Sequence, residues 1–127
     1  MIWIKRILIF VITTIVIYVL SVTLFVMSPT ISDFFDRTEF ESETWINWQD
    51  TEVTQKTRWN MIHDLTNKYD FKGKSISDIK KLLGKPSYES GNELSYYLGL
   101  TGHGINTGSL TFKVENGKVN GYYVWQG

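Results

Sequence analysis

Two histidines, His63 and His103, are the side chains best suited to proton transfer or metal binding near neutral pH, and neither has the company that such chemistry needs. His63 precedes Asp64 in a segment with helical spacing, where a half-exposed helix residue accounts for it. His103 sits in Thr101-Gly102-His103-Gly104, a loop tip that turn chemistry explains and that stands as the candidate functional loop. A zinc centre takes three or four ligands from His, Cys or carboxylate, and with no cysteine and no ligand-like spacing no metal or cofactor is expected. Ser95, Ser109 and Thr111 carry hydroxyls, but a nucleophile also needs a base and a group to orient that base, and no histidine is set beside them. Glycines at 99, 102, 104 and 108 would suit a phosphate cradle only between a strand and a helix, whereas here they join two strand-like runs. These residues point away from an enzyme.

Binding is better served. Lys72, Lys74, Lys80, Lys81 and Lys85 gather around one helical segment. A solvated helix face explains them, and contact with a small envelope ligand or anionic lipid head groups is the functional alternative. Aromatic residues make up 15% of the chain and five of them are tryptophan. In strand-like runs they alternate, so only some can face a core; Tyr96, Tyr97, Tyr123 and Trp125 are the candidate partner-binding surface. Thirteen basic and thirteen acidic side chains cancel, so no nucleic-acid partner is expected.

The elements that must position these groups begin with Ile7 to Met27, 21 residues without a charge, proline or glycine. At ~1.5 Å per helical residue such a run crosses a hydrocarbon core of ~30 Å. Its one serine and three threonines can return their hydroxyls to the helix's own carbonyls. A cleaved signal peptide has a shorter apolar core ending in small residues, whereas the exit here is Phe25-Val26-Met27-Ser28-Pro29, so residues 1–27 read as a retained anchor. Lys5 and Arg6 precede the span and acids follow it, which sets the N-terminus in the cytoplasm and the remainder outside.

Residues 28–51 read as an acidic stalk, with Asp33, Asp36, Glu39, Glu41, Glu43 and Asp50 against Arg37 alone. Phe34 and Phe35 suit a continued helix or an interfacial lip, and Trp45 and Trp48 suit packing on the domain behind. Residues 52–127 then form that domain. Trp59, Ile62, Leu65 and Tyr69 give a helical stripe within 52–69. Ser75-Ile76-Ser77-Asp78 is a capping-box start for a second helix, stopped by Gly84 and barred by Pro86. Strands follow at Leu94–Leu100, Leu110–Val114 and Lys118–Trp125, the last two joined by the hairpin signal Asn116-Gly117. The expected fold is α+β: a transmembrane helix, then two helices packed on a three-stranded antiparallel sheet in the order ααβββ.

Over residues 58 to 120, the runs R-W-N-M-I-H-D-L, F-K-G-K-S-I-S-D-I-K-K-L-L-G-K-P, Y-Y-L-G-L and L-T-F-K-V-E-N-G-K-V resemble the SmpA/OmlA (BamE-like) domain, within the wider fold of β-lactamase inhibitor proteins. The resemblance covers about half the chain. It implies a non-catalytic, extracytoplasmic protein-binding module; joined to the membrane span, this gives the expectation of a domain held outside a bacterial plasma membrane that binds another envelope protein. The chain departs from the assembly branch of that family, whose members reach the membrane through a lipidated cysteine.

Overall fold

The computed structural model describes residues 1–127, the side chain of Pro29 excepted. The first element, α1, runs from Ile2 to Phe35, so the helix continues past Met27 and takes in Phe34 and Phe35. Ile2–Ser28 within it is long and apolar enough to cross a membrane. Thr13, Thr14, Ser21 and Thr23 each donate a hydroxyl to the carbonyl four residues back, at 2.8 to 2.9 Å, so these four hydroxyls are satisfied within the helix.

Behind α1 comes a short helix, α2 (Ser42–Ile46), which the sequence reading did not anticipate. Five residues are too few for a legible period, and tertiary contacts hold it: Trp45 is fully buried and the Ser42 hydroxyl donates to the Leu82 carbonyl. The third helix, α3 (Thr57–Lys68), starts later than the expected 52. Thr51 and Thr54 hold the preceding chain in a turn, since each side-chain oxygen accepts from the other's backbone N–H, at 3.2 and 3.3 Å. The fourth helix, α4 (Ile76–Leu83), opens on a complete capping box: the Asp78 N–H donates to Ser75 Oγ at 3.1 Å and the Ser75 N–H to the Asp78 carboxylate at 3.4 Å. It closes at Gly84, whose φ of 75° suits a residue without Cβ.

The sheet has four antiparallel strands, not three, in the order β1 (Tyr88–Glu89), β2 (Glu93–Leu100), β3 (Thr107–Glu115) and β4 (Lys118–Gln126). The added strand escaped notice because two residues carry no alternation. Asn116, with φ 51°, and Gly117, with φ 73°, make the tight turn between β3 and β4. Cross-strand pairs share a face, so Leu94–Phe112–Tyr122 and Tyr96–Leu110–Val124 line the helix side. Ser95–Thr111–Tyr123 and Tyr97–Ser109–Trp125 line the outer side.

The core between sheet and helices gathers Met61, Leu65, Phe71, Ile79, Leu83, Leu94, Tyr96, Leu98, Leu110 and Phe112. It also takes Phe40 and Trp45, both from the segment that reads as a stalk. That segment is tied down further by the Asp64 carboxylate on α3, which accepts the Phe40 N–H at 2.7 Å and meets Lys68 Nζ at 3.1 Å. Trp45→Ala should therefore destabilise the fold by about 3–5 kcal/mol, read by chemical unfolding of the full chain. The amide of Phe40 foremost, then Lys68, holds the Asp64 carboxyl below its ordinary value. Its contribution is present above the usual carboxylate range and lost as pH falls through the lowered value. The unfolding midpoints of the native chain and of Asp64→Asn should thus differ at pH 7 and converge in acid.

Candidate functional site

On the outer face of the sheet, β3 presents only small hydroxyl side chains along the two aromatic rows, Ser109 and Thr111, and Ser95 on β2 joins them through a 2.9 Å contact between its hydroxyl and that of Thr111. Aromatic rings stand on either side. Tyr97 of β2 and Tyr88 of β1 form one wall, since Tyr88 pairs with Ser95, and Tyr123 and Trp125 of β4 form the other. The walls are two or three strand spacings apart, roughly 10–14 Å, so the shorter hydroxyl side chains between them make the floor of a shallow trough, Ser95 and Ser109 half-buried and Thr111 buried. Tyr88, Tyr123 and Trp125 keep 58, 43 and 54% of their surface exposed, so about half of this aromatic area faces solvent. Lys113 lies 5.7 Å from the Tyr123 ring and sets one cation at the trough's rim.

Of the four residues expected there, Tyr97, Tyr123 and Trp125 share this face. Tyr96 does not: it is fully buried on the helix side, and its hydroxyl donates to the Gly84 carbonyl at 3.0 Å. Burial pushes its phenol well above the ordinary value. Adjacent strand residues point to opposite faces, and that parity separates Tyr96 from Tyr97. Tyr88 was missed, because nothing around it reads as a strand.

Tyr97 is held from behind. Arg58 of α3 is buried, with no carboxylate partner among the described residues. Its Nε and one terminal nitrogen donate to the Trp45 carbonyl at 3.1 and 2.9 Å, and the other donates to the Tyr97 carbonyl at 3.0 Å. The rings of Trp45 and Trp48 lie 5.0 and 4.8 Å from the guanidinium carbon. Burial lowers the Arg58 pKa. Carbonyl dipoles and ring faces together replace the water the guanidinium has lost.

No family model, curated protein or solved structure matches this chain.

His103 is half-buried, with Nε2 3.8 Å from the Asp33 carboxylate near the end of α1. The same carboxylate accepts from Trp59 Nε1 at 3.1 Å and presses against Gly102, where a Cβ would overlap it. The loop expected as a functional tip is thus the seat on which α1 meets the domain. His63 is exposed and touches Asn67. Among the lysines, Lys80 is paired with Glu89 at 2.7 Å, while Lys72, Lys74, Lys81 and Lys85 are exposed.

Arg58→Lys keeps the charge but not the planar fork that serves two carbonyls at once. It should cost about 2 kcal/mol in chemical unfolding followed by tryptophan fluorescence, with Trp48 emission shifted even in the folded state.

Proposed function

We propose that the chain is a membrane-anchored, non-catalytic module that binds another protein of the bacterial envelope through the outer side of its sheet. The observation that carries this reading is the trough: three exposed aromatic rings around a floor of hydroxyls, on a sheet whose opposite face is committed to the core. Aromatic side chains with a polar tip are the residues that interfaces favour, because each buries much area at little conformational cost.

In this reading α1 is the single membrane span, in the bacterial plasma membrane. Lys5 and Arg6 at its start favour a cytoplasmic N-terminus, and Asp33 and Asp36 near its other end favour an outer position for the domain. The resemblance to SmpA/OmlA domains agrees with a binding rather than a catalytic task. Its support is the run of two core helices followed by an antiparallel meander with a tight Asn-Gly hairpin.

A photoreactive amino acid in place of Tyr123, activated in native membranes and followed by mass spectrometry, tests the reading. One recurrent envelope protein, lost when Trp125→Ala is added, is the expected result. Capture of lipid alone, or of nothing above background, sinks it and shifts attention to the exposed lysines around α4.

A further inference from the structure

The two edges of the sheet are treated differently. Past the short β1, the outward backbone groups of β2 find partners: the Tyr97 N–H donates to Ser87 Oγ at 2.9 Å, the Tyr97 carbonyl accepts from Arg58, and the Leu100 N–H donates to the Gln55 carbonyl at 2.9 Å. On β4 the same closure stops early. Val119 donates to the Lys74 carbonyl at 2.9 Å and accepts from the Gly73 N–H at 2.8 Å, and after it Asn120 forms a bulge without a paired residue.

Beyond the bulge the register sets which groups are free. Gly127 and Thr107 exchange both backbone bonds at 3.0 Å, so by antiparallel alternation Trp125, Tyr123 and Gly121 turn theirs toward β3. Tyr122, Val124 and Gln126 turn their N–H and C=O groups outward, where no described residue meets them. Natural edges are blunted by charge or proline, and Gly121 to Gln126 has neither.

Beside this edge lies a cleft of about 240 Å³ between the end of α1, α3 and β4. Trp59, Ile62 and Val124 make its apolar part, so Val124 belongs to both the free edge and the cleft. Arg37 stands at the cleft, exposed and without a carboxylate partner among the described residues. Asp33 is turned instead to Trp59 and His103.

We infer that β4 takes up an extended segment of the partner protein as a fifth strand, with an apolar side chain entering the cleft and a carboxylate meeting Arg37. The inference rests on the reading of the chain as an interaction module and specifies its partner. An added strand would satisfy the outward groups of Tyr122, Val124 and Gln126. Its residues opposite these three lie on the helix side over the cleft, and the alternate ones lie beside Tyr123 and Trp125 on the trough. Lys74 and Lys118 at one end of the edge and Arg37 at the cleft are cations, while β4 itself carries no acid, so the complementary strand is acidic. A second copy of β4 would bring Lys118 and no carboxylate, which is why a different chain fits better.

The full chain in lipid nanodiscs would be panned against a displayed library of random peptides of about eight residues, a strand's length. Expected are binders that join an apolar residue to an acidic one at fixed spacing and that slow amide exchange at Tyr122, Val124 and Gln126. Arg37→Gln, on an exposed side chain, should weaken them about tenfold. Val124→Pro removes an outward N–H and spares the bonds to β3, so it should abolish binding; Gln126→Pro does the same at the strand end if Val124→Pro fails to fold. Binders that protect other amides, or that ignore both Arg37→Gln and proline, overturn the inference. So does a β4-to-β4 crosslink between copies. Failure to enrich any binder while the Tyr123 probe still captures an envelope protein refutes strand addition and leaves the broader reading intact; failure of both refutes both.

Discussion

Arg58 is the point on which the architecture turns. A guanidinium buried with no counter-ion among the described residues is tolerable only where displaced water has substitutes, and here two carbonyls and two indole faces supply them. The arrangement joins four parts of the chain at once: α2 through the Trp45 carbonyl, the following loop through Trp48, α3 through its own backbone, and β2 through Tyr97. Without it, α2 would lose one of the contacts that hold five residues as a helix, and the outward Tyr97 carbonyl on the edge of β2 would lose its donor.

Closing that edge makes the sheet asymmetric. One side is sealed by β1, Ser87, Arg58 and Gln55, and its Gly99, with φ 79°, lets the backbone approach Gln55 so closely that any Cβ would collide with the Gln55 carbonyl. The other side ends in a strand with free amides and exposed rings. A small domain gains stability from every capped edge and risks aggregation from every open one. An uncharged, aromatic, unblunted edge is therefore a feature that stability alone does not explain, whereas strand pairing with another chain does.

Much of the local grammar was legible. Ser75 and Asp78 sit at the separation a capping box requires, Asn116-Gly117 offers two positions tolerant of positive φ, and an uncharged run of 21 residues reads as one long apolar helix, which α1 is. The parts that stayed hidden depend on distant partners. Tyr88 and Glu89 are a strand only because Leu94 and Ser95 lie beside them. Phe40 and Trp45 look like scattered aromatics among acids, and their burial is decided by Arg58, Asp64 and α4. The partition of Tyr96 from Tyr97 needed only a register, but a run of three apolar or aromatic residues, Tyr96 to Leu98, blurs alternation enough that the inward parity cannot be assigned from the run itself.

The junction between α1 and the domain bears on where a partner must be. Asp33, which seats Trp59 and faces His103, lies five residues after Ser28, the end of the stretch suited to a membrane, or about 7.5 Å of helix. With α1 read as the anchor, the domain does not ride on a long flexible stalk; it is clasped to the helix within a turn and a half of the apolar span. Arg37 and Val124, which share the cleft, stand beside that junction. On that reading the part of the β4 edge at Val124 lies near the membrane surface, where a tethered chain would meet other membrane proteins at a high effective concentration. A strand pair too short to hold two freely diffusing proteins can be sufficient there, because much of the entropic cost of association has already been met by the anchors.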